Sequence, residues 1–171
     1  MNTIRNDLPK NIKDFFYKLK DYLETELYFY GSVTRSDYVP DKSDIDVAIF
    51  TDNEHSIISK LQHFLHVKRS DFDKVVWKLN GKMIYGYKIK IDKVNGEIAI
   101  YNDDFKEVLL EEFTKPLKNN TILTASILYL LKLLYYQIPI IPKNKYIEWK
   151  RYVLNVMMGK KESVFFVLKQ E

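Results

Sequence analysis

Apolar residues at the start of the chain recur at helical spacing: Leu8, Ile12, Phe15, Phe16, Leu19, Tyr22 and Leu23. That period predicts an amphipathic opening helix, with Asp7 as its cap and Pro9 in its first turn. The pattern then shortens. Leu27 to Tyr30 reads as a strand ending at Gly31, and Asp44 to Phe50 as a second strand. Ile57, Ile58, Leu61, Phe64 and Leu65 mark a second helix from about Glu54. The middle is β-rich: Lys74 to Leu79 and Lys82 to Val94 read as strands joined by an Asn80-Gly81 turn. Asn95-Gly96 reads as a second two-residue turn, leading into the strand Glu97 to Tyr101. Phe105, Val108, Leu109 and Phe113 form the face of another helix, and Pro116 closes this portion.

Beyond it the pattern is helical. Thr121 to Tyr136 is apolar nearly all round, which predicts burial inside a bundle. Pro139 and Pro142 interrupt, Asn144 to Met158 forms the next helix with Gly159 as its stop, and a last short helix covers Glu162 to Gln170. The fold class expected is α+β: a mixed sheet flanked by helices over residues 1–115, then a small helical region over 116–171.

Composition narrows the function classes. With 171 residues, 46% apolar and 29% charged, the chain can bury a core without disulfides, and it has no cysteine for zinc thiolates or a thiol nucleophile. No apolar leader is visible at the N-terminus, and the greasiest stretch, Ile122 to Tyr136, is too short to span a bilayer and holds Lys132. A cytoplasmic protein without a membrane partner is expected. Charge is uneven: residues 114–171 carry 10 basic and 3 acidic groups, the rest a net −3. A basic final third suits a polyanion such as a triphosphate or nucleic acid, or simply a solvated lysine-rich surface.

The unusual stretch is YGSVTRSDYVPDKSDIDVAIF. On a strand, residues two apart point the same way, so Asp44 and Asp46 project side by side while Ile45, Val47 and Ile49 cover the core face. Two carboxylates this close repel unless a cation lies between them, and hard divalent ions favour such oxygen ligands. Across an eleven-residue spacer upstream, Gly31-Ser32 offers a tight bend whose backbone and hydroxyl can approach a phosphate, with Arg35 and Lys42 adding positive charge.

Gly-Ser, a spacer of this length, then Ser-Asp-Ile-Asp resembles the signature of the DNA polymerase beta-like nucleotidyltransferases, closest in style to the minimal nucleotidyltransferases. The likeness covers about residues 27–113. It implies transfer of a nucleoside monophosphate from a nucleoside triphosphate to a hydroxyl, with Mg²⁺ or Mn²⁺ held by Asp44, Asp46 and a third acid. Gly31 and Ser32, with Arg35 and Lys42, would hold phosphates. Glu97 and Asp92 both qualify as the third acid, since a two-residue Asn95-Gly96 turn sets both on the face opposite Ile89, Ile91, Ile98 and Ile100. Glu97 is preferred because GEIAIYNDDFKEVLL is similar to the family's order after that acid; Glu97 would ligate a second ion or act as base. Either residue could instead pair with Lys88, Lys90 or Lys93.

PIIPKNKYIEWKRYV loosely resembles the helical region that follows such domains in antibiotic-modifying enzymes, which points to Lys145, Trp149, Lys150 and Arg151 as substrate contacts; a buried Trp149 under surface lysines is the alternative. His63 and His66 fit a solvated helix face, and His55 a helix start. Tyr85 and Tyr87 in YGYKIK are sheet residues that could also stack bases. No Ser/His/Asp hydrolase pattern or GxxxxGK[ST] loop is present. The acceptor stays open: protein, small molecule or nucleic-acid 3′ end, with a partner chain an option. The competing class is an inactive protein of the same fold that binds another protein, antitoxin-like.

Overall fold

The structure is a computed structural model. It describes residues 7–35, 38–40, 42–79, 81–114, 122–136, 141–158 and 165–168, with backbone alone at 122–125, 157–158 and 165–168. Asn80, Pro116, the expected boundary at 115–120, Pro139, Gly159 and the ends of the expected last helix lie outside the described residues.

The elements run α1 (Lys10–Leu23), β1 (Tyr28–Tyr30), β2 (Ile45–Thr51), α2 (Glu54–Leu65), β3 (Asp73–Leu79), β4 (Lys82–Ile91), β5 (Gly96–Asn102), α3 (Lys106–Thr114), α4 (Ile122–Tyr136), α5 (Lys143–Met158) and β6 (Phe165–Leu168). The six strands form one sheet in the order β1-β2-β5-β4-β3-β6. Among the described residues the β2–β5 pair is parallel and the other four pairs are antiparallel. The expected mixed sheet flanked by helices is the fold observed.

Each face of the sheet carries its own core. Ile45, Val47, Ile49, Ile98 and Ile100 pack with Ile12, Phe16 and Leu19 of α1 and Ile58 and Leu61 of α2. A side chain as enclosed as Phe16 contributes about 1.5–3 kcal/mol. On the other face Ala48, Phe50, Ala99 and Tyr101 pack with Leu109 of α3. α2 starts where expected because the Asn53 side chain accepts from the Ser56 N–H at 3.0 Å. α1 differs: Pro9 occupies its N-cap, and no side chain caps it there.

Three expectations need correction. First, Asn95-Gly96 is not a two-residue turn. β4 stops at Ile91, Asp92–Val94 form a 3₁₀ turn, and Asn95 alone takes the left-handed conformation, at φ 45°. Ile91 therefore faces Gly96, and Lys90 faces Glu97. A four-residue connection replaces a two-residue one; it keeps Glu97, Ile98 and Ile100 on their expected faces but takes Asp92 out of the ladder and turns Val94 into the core beside Ile89 and Ile91. Second, residues 165–168 are not helical. They form β6, antiparallel to β3, because β3 offers an open sheet edge whose N–H and C=O groups need partners. Third, α4 is not enclosed all round: Leu128 and Leu131 are buried, but Ile127, Tyr129 and Leu130 are exposed, since α5 covers one side only.

Candidate active site

The acids gather at the start of β2. Asp46 is a half-buried residue of the strand, and Asp44 lies two positions before it. Asp46 is in register with Glu97 across the parallel β2–β5 pair, so the two carboxylates sit on one face of adjacent strands. Asp92 stands apart, in the 3₁₀ turn, almost wholly exposed and 3.7 Å from Lys90. Glu97 has its own counter-ion: Lys88 Nζ donates to Glu97 Oε2 at 2.9 Å, with both side chains mostly covered.

The Gly31-Ser32 bend is built against these acids. Gly31–Thr34 form a 3₁₀ turn, with Gly31 at φ 72° in the left-handed region. A Cβ at Gly31 would overlap Asp46 Oδ2, so only glycine admits both the backbone turn and the carboxylate. The Ser32 hydroxyl donates to the Asp44 carbonyl at 3.3 Å, tying the bend to the acid loop.

Negative charge is in excess here. Burial, followed by Glu97 and Asp44, pushes the Asp46 carboxyl up from 3.8 to about 7, while Lys150 and Arg35 pull it down. Burial and the neighbouring Tyr101, Asp46 and Glu97 raise the Tyr30 hydroxyl; burial, Glu97 and Asp46 do the same at Tyr101. A cation beside Asp44 and Asp46 would relieve this strain, and the chemistry of the donors suits Mg²⁺ or Mn²⁺. The fit is to two carboxylates. Among the described residues, no group of three or more His, Cys, Asp or Glu side chains is set to hold a metal ion.

Two connected clefts open over the acids. A small one, about 130 Å³, is lined by Gly31, Ser32, Asp44 and Asp46 together with the cationic Arg35, Lys132 and Lys150. A wider one, about 540 Å³, shares Asp44, Tyr136 and Lys150 with it and adds Lys42, Tyr135 and Arg151. Its wall is a parallel stack of Tyr135 on Tyr146, 4.0 Å between ring centroids. Tyr146 is buried and also meets the Tyr136 ring edge-on.

Of the residues singled out from the sequence, Gly31, Ser32, Arg35, Asp44, Asp46 and Lys150 meet at the small cleft, and Lys42, Lys150 and Arg151 at the wider one. Lys145 pairs with Glu148 at 3.0 Å on the surface. Trp149 is 47% exposed and lines neither cleft, which also rules out the buried alternative. His63 lies against Tyr22, and His55 is bonded to Arg69, both at the surface. Tyr85 packs on Phe105, and Arg69 lies over Tyr87.

Sequence reading missed Lys132. It is 2% exposed, and its ammonium donates to Ser43 Oγ at 3.3 Å, while that oxygen also accepts from the Val39 N–H. A single lysine inside a run of fifteen mostly apolar residues was the available signal.

Residues 9–129 match the model of the nucleotidyltransferase domain. The chain belongs to that nucleotidyltransferase domain family. The matched region contains the Gly-Ser bend, all three acids and the first half of α4, including the approach to Lys132. No curated protein sequence matches this nucleotidyltransferase-domain chain significantly. Among solved structures, the conserved protein GrpB from Enterococcus faecalis is similar at TM-score 0.53 and 16% identity, covering 88% of this chain and 92% of that one. That likeness is one of fold. Cid1, described with an RNA terminal uridylyl transferase activity, matches at TM-score 0.38 and 17% identity, over 71% of this chain and 38% of that one. A chain of the GLD-2/RNP-8 complex matches at TM-score 0.34 and 13% identity, over 86% of this chain and 56% of that one.

Proposed function

We propose that this protein is a metal-dependent nucleotidyltransferase, moving a nucleoside monophosphate from a nucleoside triphosphate to a hydroxyl acceptor. The observation that carries this is the Gly31 bend pressed against Asp46, beside Asp44 and Glu97, under a cleft walled by lysines.

Asp44 and Asp46 hold the cation, and Glu97 is the third acid of the site. Ser32 and the Gly31 backbone face the phosphates, and Arg35, Lys132 and Lys150 in the same lining neutralise them. Lys42 and Arg151 extend that positive surface around the wider cleft, which has room for a nucleoside beside Tyr136. When bound, Mg²⁺ or Mn²⁺ supplies charge neutralisation at the triphosphate and acidifies the acceptor hydroxyl. The hydroxyl oxygen attacks the α-phosphorus, the bond to pyrophosphate breaks, and pyrophosphate leaves. The hydroxyl proton passes to Glu97. Residues 1–115 form the catalytic module and 116–171 the region that closes over it, joined across the cleft by the Lys132–Ser43 hydrogen bond. The acceptor is a protein, a small molecule or a nucleic-acid 3′ end. Absence of cysteine fits a cytoplasmic setting, and no described helix is long and apolar enough to cross a membrane.

The ammonium of Lys88 on Glu97 favours a second reading, a protein of this fold that binds a partner protein without turnover. One assay separates the two. The protein is incubated with α-labelled ATP, GTP, CTP or UTP, Mg²⁺ or Mn²⁺, and pools of RNA, DNA oligomers and lysate protein. Label transfer that disappears in Asp44→Ala and Asp46→Ala supports the enzyme. Absence of transfer, with tight capture of one protein unaffected by those substitutions, supports the binding protein.

A further inference from the structure

We infer that Lys88 takes the place of a second metal ion at Glu97, so that the acid site holds one divalent cation, on Asp44 and Asp46, instead of two. The inference rests on the metal reading of the same site.

Geometry selects Lys88. Glu97 lies directly opposite Lys90, yet Lys90 turns away to the exposed Asp92. Lys88 is one diagonal step along β4, on the same face as Glu97, and its cross-strand partner is Ala99. That small side chain leaves the lysine stem free to lean towards Glu97, a reach long side chains manage across a sheet diagonal. The resulting contact is 2.9 Å, with Lys88 20% and Glu97 32% exposed at the side chain. An ion pair this covered is held more firmly than the exposed Lys90–Asp92 contact at 3.7 Å.

The clefts agree. Asp44 and Asp46 line the small cleft, and Glu97 does not line it, although Glu97 is in register with Asp46. A metal that used Glu97 would have to displace a cation already in hydrogen-bond contact with it. Lys88 thus divides the three acids into a pair open to a divalent ion and a single carboxylate neutralised by the chain itself. Glu97 stays free of metal.

The test counts metal directly. Mn²⁺ is titrated against the full chain, and free Mn²⁺ is followed by electron paramagnetic resonance. One ion per chain is expected for the native protein, and two for Lys88→Met, where Glu97 is released. Lys88→Gln gives a second variant of smaller perturbation, and thermal melts show that each variant is folded. Glu97→Gln should still bind one ion, because Glu97 is not a ligand. Two ions in the native protein, one in both folded Lys88 variants, or none in a folded Glu97→Gln overturns the inference. No bound Mn²⁺ in any form contradicts the metal reading itself.

Discussion

Replacing Asp46 with asparagine should stabilise the metal-free protein while removing its activity. The carboxyl is half-buried on β2 and pushed to about 7 from 3.8, first by burial, then by Glu97 and Asp44. Each unit corresponds to 1.36 kcal/mol, so ionising Asp46 in the fold costs on the order of 2–4 kcal/mol. Between pH 4 and 7 the folded chain keeps a proton that the unfolded chain has released. Stability from this group is therefore greatest at low pH, falls as pH rises through that window, and stays low above it. Asparagine carries no charge to desolvate and removes the slope. In a chain of this size, 1 kcal/mol moves the melting temperature by about 2–4 °C. Asp46→Asn should then melt roughly 5–15 °C above native at pH 8 with EDTA present, and close to native at pH 4. Calorimetry at the two pH values checks it, and added Mn²⁺ should narrow the pH 8 gap by stabilising the native protein alone. Nucleotidyl transfer by the variant should fall by more than about 100-fold. An Asp46→Asn protein that melts at or below native at pH 8 would refute the reasoning.

Other substitutions probe the remaining walls of the site. Gly31→Ala forces a left-handed alanine and displaces the end of the Asp46 side chain; it should lose about 1–2 kcal/mol of stability in melts and roughly 100-fold in transfer rate. Gly86→Ala lies away from the cleft, but its Cβ would stand 2.6 Å from the Tyr101 ring and overlap the Ile100 carbonyl, so a stability loss of about 3 kcal/mol or more is expected by denaturant titration. Lys132→Met keeps the buried volume and removes the charge; the fold should survive in melts, while KM for the nucleoside triphosphate rises about 10-fold or more.

Local signals made the acid strand legible. The order Asp44 to Phe50 put Asp44 and Asp46 on the face opposite Ile45, Val47 and Ile49, and Gly31-Ser32 marked the bend, because each depends on residues close in sequence; that Ala48 and Phe50 face a second core was not legible. The β4–β5 connection was harder, since Asn-Gly is compatible with a two-residue turn, and the observed four-residue one is set by Asn95 binding back to both Asp92 and Ile45. Glu97 came out beside Asp46 because β5 pairs in parallel with β2 and puts the two in register, while Asp92, expected on the same face, left the ladder. β6 was illegible because its conformation follows from a strand edge almost ninety residues upstream. Lys132 stood out as a lone charge in an apolar run, but its role was hidden for the same reason: its partner, Ser43, is 89 positions away. Which lysine meets Glu97 depended on the small Ala99 across the ladder, a packing fact that spacing alone does not carry.

The most direct measurement is a crystal of the protein grown with Mn²⁺ and a non-hydrolysable nucleoside triphosphate, with the metal located by anomalous scattering. A peak about 2 Å from carboxylate oxygens of both Asp44 and Asp46, with the triphosphate lying between Ser32 and Lys132, is the predicted result. A nucleotide bound away from this cleft, or Mn²⁺ absent from the Asp44–Asp46 pair, would contradict it.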